Sequence, residues 1–189
     1  PAGNLGNTAA FGKALREAKA LGLIDRLPRL AAVQAAGAAP FARGFAEDFR
    51  ARHTVKAETL ATAIKIGDPA SWDRAVRSIR ETDGVVTTVS DAEIFDAKAV
   101  VDAAGVGCEP ASAASVAGAR RLREEGIIGR NARVIAVLTG HVLKDPGALI
   151  YYHQEMEPKP ARANRPIEIE ADLGEVERLD LLAGTGDER

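Results

Sequence analysis

SWDRAVRSIRETDGVVTTVSDAEIFDAKAVVDAAG, residues 71–105, is the stretch that decides the fold class. Ser71 is a good N-cap for a run with apolar residues at helical spacing, which predicts a helix. The β-branched run VVTTV, residues 85–89, predicts a strand. Ser90, with Glu93 three residues later, forms the pattern of a capping box and predicts a second helix. A strand enclosed by two helices is the unit from which α/β proteins are built.

The same alternation continues on both sides of this stretch. Helices are predicted over residues 8–23, 40–49 and 109–126, buried strands over residues 30–34 and 133–140, and irregular chain over residues 51–69. The strand runs are continuously apolar, as expected when both faces of a parallel sheet are covered. We therefore predict a three-layer α/β fold with a mostly parallel sheet and helices on both faces.

The character of the sequence changes after Pro146. The next stretch carries several prolines and shows no clear period, and ADLGEVERLDLL, residues 171–182, then predicts a terminal helix. We divide the chain into an α/β domain, residues 1–146, and a C-terminal extension, residues 147–189.

Composition excludes several classes of protein. Of the 189 residues, 46% are hydrophobic and only 4% are aromatic, which indicates a globular chain with an aliphatic core. The net charge of −2 gives no electrostatic reason to expect a nucleic acid or an anionic membrane as partner. The apolar runs are too short to span a bilayer. A single cysteine, Cys108, cannot form an internal disulfide and fits a reducing cytoplasm.

The stretch PAGNLGN, residues 1–7, has the composition of an anion site. A glycine-rich turn that leads into a helix presents backbone N–H groups, and the helix dipole favours negative charge there. No lysine follows the second glycine, so this is not a nucleotide P-loop, and the third glycine of the dinucleotide fingerprint is absent. The motif by itself is also compatible with ordinary turn chemistry.

Further motifs point to a family. CEPASAA (residues 108–114) and LTGHVLKD (138–145), together with PAGNLGN and ETLATAIKIGDPASW (58–72), follow one another in an order that resembles threonine synthase of the bacterial type. That family belongs to the fold type II, tryptophan synthase β-like group of pyridoxal-phosphate (PLP) enzymes. The resemblance covers residues 1–146. Relatives such as threonine dehydratase share single motifs of the series.

The resemblance implies a cofactor site for PLP. It implies that five loop residues hold the cofactor phosphate, mainly through backbone N–H groups: Gly3, Asn4, Leu5, Gly6 and Asn7. It also implies that the hydroxyl of Thr139, at the end of the last buried strand, meets the pyridine nitrogen. A hydroxyl can donate a hydrogen bond to an unprotonated ring nitrogen.

Two neighbours of this site have more than one interpretation. Glu109, before a proline at a helix start, either faces the cofactor cleft or provides ordinary acidic first-turn chemistry. His141 either touches the cofactor or substrate or is a loop histidine with a backbone partner. Cys108 is interpreted as a small apolar packing residue. No metal site is predicted.

The resemblance also implies what lies outside this sequence. In the family, the Schiff-base lysine precedes the glycine loop in a segment ending in Lys-Asp-Arg. We therefore assign no catalytic residue to this sequence, and we do not assign the role of Schiff-base lysine to Lys144. We expect the C-terminal part of a cytoplasmic enzyme, inactive alone, that converts O-phosphohomoserine and water to threonine and phosphate; a homodimer is compatible with this. The alternatives are a threonine dehydratase-like lyase and a truncated, non-catalytic anion-binding domain.

Overall fold

A computed structural model describes residues 1–164 and 166–178. The strands are β1 (Ala31–Ala35) and β2 (Val85–Val89). The helices are α1 (Gly6–Ala20), α2 (Pro40–Ala46), α3 (Trp72–Glu81), α4 (Asp91–Ala103), α5 (Pro110–Glu124), α6 (Pro146–Ile150) and α7 (Leu173–Arg178). Short 3₁₀ turns cover Ala36–Ala38, Thr62–Ile64 and Val142–Lys144. Strands thus alternate with helices, as predicted.

The two strands pair in parallel. Their register runs from Ala31 opposite Val85 to Ala35 opposite Val89. Side chains of successive strand residues point to opposite faces, so each strand contributes to two hydrophobic clusters. Both faces of the strand pair are covered by helices, which confirms the predicted α/β fold with its three layers.

One cluster forms against α4 and α5. It joins Val33 and Val89 of the strands to Ile94 of α4 and to Ala113 and other alanines of α5. The small alanine side chains let α5 lie close to the strand pair.

The other cluster forms against α2 and α3. It joins Ala32 and Val86 of the strands to Phe41 of α2 and to Trp72 and Ile79 of α3. Helix α1 packs beside α3 in this layer. The cluster holds the aromatic pair Phe41 and Trp72, whose ring centroids lie 5.2 Å apart in an edge-to-face arrangement.

The capping predictions have different outcomes. The capping box of Ser90 and Glu93 is confirmed, because both reciprocal hydrogen bonds are present at the start of α4. Helix α3 begins after Ser71 as predicted, but the Ser71 side chain does not cap it. Its hydroxyl instead accepts a hydrogen bond from Arg74 Nη2 at 3.0 Å.

The predicted buried strand over residues 133–140 is wrong. These residues form irregular chain, and Ile135 is 84% exposed. An apolar run becomes a strand only when a neighbouring strand takes its backbone hydrogen bonds. Within residues 1–164 and 166–178, no strand lies beside this run, because the sheet contains only β1 and β2.

The chain after residue 145 is more regular than the sequence suggests. Helix α6 continues as a π-helical turn over Tyr151–Glu155, and Tyr152 stacks on Phe95 of α4 with ring centroids 5.8 Å apart. The predicted terminal helix is present as α7, while residues 179–182 of that prediction lie outside the described residues. None of the described helices is long and apolar enough to cross a membrane.

Candidate cofactor-binding site

The glycine loop is fixed at its first end by β1. The N–H of Ala2 donates to the carbonyl of Val33 at 2.8 Å, and the Gln34 amide nitrogen donates to the carbonyl of Ala2 at 3.1 Å. The other side-chain atom of Gln34, Oε1, accepts from the N–H of Ala42 at 3.0 Å. Gln34 is fully buried with both ends of its amide bonded. It therefore joins the loop to the strand and to α2.

The loop is fixed at its second end by the start of α3. Asn4 Oδ1 accepts from the N–H of Ala70 at 2.7 Å, and the Asn4 carbonyl accepts from the N–H of Ser71 at 3.2 Å. The Asn4 amide oxygen thus holds the loop in place, a role that the sequence prediction did not assign to it. Gly3 lies close to the neighbouring chain, because a Cβ there would come within 3.0 Å of the Ile64 Cα.

The loop leads directly into the N-terminus of α1. Leu5 is the N-cap residue and has a left-handed conformation with φ of 64°, which is uncommon for a residue other than glycine. Its side chain is buried in the cluster against α2 and α3, and this packing offsets the strain. Helix α1 then begins at Gly6, two residues earlier than predicted.

This helix N-terminus is suited to bind an anion. No side chain caps it, and its first turn contains no acidic residue. The first N–H groups of a helix have no partner within the helix, and here they start next to a left-handed residue, a geometry that turns successive N–H groups to one side. A Cβ at Gly6 would meet no protein atom within 4 Å, so the space beside this turn is open.

A cleft of about 210 Å³ lies at this turn. It brings together residues from four parts of the chain: Pro1, Gly3, Asn4, Leu5, Gly6, Asn7, Ala63, Ile64, Glu109, Ala111 and Thr139. All the predicted cofactor-binding residues are therefore on its lining, and so is Glu109. Sequence reasoning missed Ala63, Ile64 and Ala111, since small and aliphatic residues carry no chemical signal; only the motif over residues 58–72 marked that segment.

Glu109 and Thr139 meet through Gly140. The N–H of Glu109 donates to the Gly140 carbonyl at 3.0 Å, and a Cβ at Gly140 would lie 2.1 Å from Glu109 Oε1. Glycine at 140 thus lets the Glu109 side chain lie against the backbone. Glu109 is also the N-cap residue of α5. Its side chain is 7% exposed, and its carboxylate lies 3.7 Å from Lys144 Nζ. Glu109 therefore lies on the cleft lining, whereas the interpretation as acidic first-turn chemistry does not apply, because its side chain makes no capping hydrogen bond and the first turn of α5 has no acidic residue.

His141 and Cys108 do not line this cleft among the described residues. His141 Nδ1 accepts from the N–H of Leu143 at 3.2 Å, which is the backbone partner of the second interpretation. Cys108 is buried in the cluster against α4 and α5. Burial, followed by the charge of Asp102, raises the pKa of the Cys108 thiol to about 11. A thiol of this kind packs and does not react.

The lining fits a phosphorylated aromatic cofactor. Open space beside Gly6, uncapped N–H groups and the absence of an acidic residue in the first turn suit a phosphate. The hydroxyl of Thr139, at another position on the lining, suits a heterocyclic nitrogen.

Comparison with known proteins shows the family to which the chain belongs. The family model described as "Pyridoxal-phosphate dependent enzyme" matches residues 1–140, and the chain belongs to this family. "Threonine synthase 2, chloroplastic" of Arabidopsis thaliana is 40% identical over an alignment that covers 96% of this chain and 36% of the relative. "Threonine synthase" of Methanocaldococcus jannaschii is 39% identical, covering 95% of this chain and 42% of the relative.

A further relative, "Threonine synthase" of Synechocystis sp., is 46% identical over 79% of this chain and 37% of its own length. The chain therefore spans less than half the length of these curated relatives. The resemblance stated from the motifs, and the dependence on pyridoxal phosphate that it implies for the family, are confirmed.

Proposed function

We propose that the protein containing this chain is a threonine synthase, which converts O-phosphohomoserine and water to threonine and phosphate. The observation that carries the proposal is that the N-terminus of α1, Glu109 and Thr139 meet in one cleft. The identity of 39% to 46% with proteins named threonine synthase supports it.

The residues of this chain would bind and orient the cofactor. The N–H groups of Gly6 and Asn7, with the helix dipole behind them, would hold the phosphate without a charged side chain. Thr139 would offer its hydroxyl to the pyridine nitrogen. Bound in this cleft, pyridoxal phosphate would supply the electron sink that the reaction requires. Glu109, buried beside Gly140, would add a fixed negative charge to the cleft.

Several finer assignments belong to the same proposal. We assign residues 1–146 to the cofactor-binding domain and residues 147–189 to a C-terminal extension. We also propose a cytoplasmic location and a homodimer. His141 remains a candidate neighbour of the substrate, because it follows Gly140 directly although its Nδ1 has a backbone partner.

The test uses the full-length gene product that contains this chain. Purified protein with pyridoxal phosphate is incubated with O-phosphohomoserine in one assay and with threonine in another, and phosphate, threonine and 2-oxobutanoate are measured. Equal amounts of threonine and phosphate are expected from O-phosphohomoserine. A threonine dehydratase-like lyase would instead form 2-oxobutanoate from threonine, and a non-catalytic anion-binding protein would turn over neither substrate. Either result would contradict the proposal.

A matched pair of variants connects the activity to this cleft. Thr139→Val removes the hydroxyl on the lining, whereas Thr62→Val removes an exposed hydroxyl that contacts Asp145 and is not on the lining. We expect the first to lower threonine formation at saturating cofactor and the second to leave it unchanged. Equal activities would show that the Thr139 hydroxyl has no part in the reaction.

A further inference from the structure

A buried serine of α5 lies directly behind Thr139. Ser112 has no exposed surface, and its Oγ lies 3.2 Å from Thr139 Oγ1. The same Oγ accepts a hydrogen bond from the N–H of Gly140 at 2.8 Å. Ser112 thus contacts Thr139, which lines the cleft, and Gly140, the residue that follows it.

The direction of the hydrogen bond between Ser112 and Thr139 decides whether Thr139 presents its proton or a lone pair to the cleft. A hydroxyl carries one proton and two acceptor lone pairs. Ser112 Oγ uses one lone pair for Gly140, and its proton has two acceptors in reach: Thr139 Oγ1 at 3.2 Å and the Gly140 carbonyl at 3.4 Å. The carbonyl is the more distant of the two, and hydrogen bonds between oxygens weaken over this range.

We propose that Ser112 is a positioning residue that donates its proton to Thr139, so that the Thr139 hydroxyl presents its own proton to the cleft. This inference rests on the proposed function, in which Thr139 meets the pyridine nitrogen of the cofactor. A hydroxyl whose oxygen already accepts from Ser112 is oriented as a donor. The pair therefore selects the unprotonated ring nitrogen by orientation.

The setting of Ser112 gives this arrangement its stability. Its neighbours in α5, Ala111 and Ala113, are buried alanines that offer no competing polar group. The nearby charged pair consists of Glu109, which lies on the cleft lining, and Lys144, which belongs to the 3₁₀ turn Val142–Lys144 and does not line the cleft. Without Ser112, the Thr139 hydroxyl could rotate and accept a hydrogen bond from a protonated ring nitrogen. It would then no longer favour the unprotonated nitrogen.

The test measures the ring nitrogen directly. The full-length protein is loaded with pyridoxal phosphate labelled with ¹⁵N in the ring, and the ¹⁵N resonance is recorded at one fixed pH. Ser112→Ala should move the resonance towards the position of the protonated ring, with the protonation equilibrium changed by up to about tenfold, as expected for one neutral hydrogen bond.

Ser115→Ala is the matched control. Ser115 lies on the same helix and also holds this loop, since its hydroxyl contacts the Val137 carbonyl at 3.1 Å, but it does not contact Thr139. The resonance should stay at the wild-type position in this variant. If Ser112→Ala leaves the resonance unchanged, or if Ser115→Ala moves it equally, the positioning role is refuted.

Two further measurements separate the possible failures. If Thr139→Val moves the resonance and Ser112→Ala does not, the proposed cofactor contact stands and the role of Ser112 falls. If wild-type protein binds no labelled cofactor, the proposed function itself falls, and this inference with it. Should Ser112→Ala fail to fold, Ser112→Cys keeps a side chain of similar size with a weak donor and should move the resonance in the same direction.

Discussion

Replacing Gly6 with alanine should stabilise the fold and weaken cofactor binding at the same time. Gly6 is the first residue of α1, and a Cβ there would meet no protein atom within 4 Å. Alanine is therefore accommodated without strain. Because it restricts the unfolded chain, we expect the cofactor-free protein to gain about 0.4–1 kcal/mol in free energy of unfolding.

The loss in binding follows from the same open space. If this space receives the cofactor phosphate, the added methyl group stands where the phosphate must approach the N–H groups. Losing one hydrogen bond to a charged group costs about 1.5–3 kcal/mol. The dissociation constant for pyridoxal phosphate should then rise by about 10- to 100-fold.

Two assays on the full-length protein check the expected gain in stability and the expected loss in cofactor affinity. Urea unfolding of the cofactor-free form gives the stability, and equilibrium dialysis gives the dissociation constant. Gly147→Ala is the control, because Gly147 also lies in the first turn of a helix with open space around its Cβ position but not on the cleft. Unchanged cofactor affinity in Gly6→Ala would refute the assignment of this turn to the phosphate.

Asn7→Asp should also raise the dissociation constant for pyridoxal phosphate, because it places a carboxylate on the cleft lining beside the same helix turn. Equilibrium dialysis at low and high salt measures this constant, and an affinity equal to that of the wild type would show that Asn7 is not part of the site. Burial raises the pKa of Glu93, but the hydrogen bond from Arg121 and others outweigh it and lower the pKa to about 2. Ionised Glu93 therefore stabilises the fold above pH 4.5, and this stabilisation is lost as the pH falls towards 2. The full shift corresponds to about 3 kcal/mol, which solvent screening of this partly exposed side chain reduces; the stability difference between wild type and Glu93→Gln in urea should shrink over that range. With its pKa raised to about 11 by burial and then by Asp102, Cys108 should react with iodoacetamide at pH 8 at least about 100-fold more slowly in the folded protein than in urea, and comparable rates would contradict its buried position.

The sequence was most informative where a local pattern determines local structure. The box of Ser90 and Glu93 specifies its own hydrogen bonds and needs no distant partner, so the start of α4 is predicted correctly. The glycine loop is likewise local, since glycines followed by helix formers indicate a helix N-terminus. The motif therefore located the loop, although α1 begins at Gly6 and not at Thr8.

Long-range contacts were not predictable in this way. The run over residues 133–140 has the composition of a strand, yet a strand depends on a neighbour that composition does not specify. Gln34 lies within the predicted strand over residues 30–34, and its buried, hydrogen-bonded side chain shows that a polar residue in such a run marks a contact with another part of the chain. The left-handed conformation of Leu5 carries no sequence signal, because glycine is the usual residue there.

Thr139 lines the cleft, but it does not end a buried strand as the sequence predicts. Instead, the start of α5 binds Gly140, the residue that follows Thr139. The Gly140 carbonyl accepts from the N–H of Glu109 at 3.0 Å, and the Gly140 N–H donates to Ser112 Oγ at 2.8 Å. With both backbone groups of Gly140 bound to α5, Thr139 is placed without any sheet pairing. The motifs CEPASAA and LTGH therefore work as one unit, in which the first supplies the bonds that position the second.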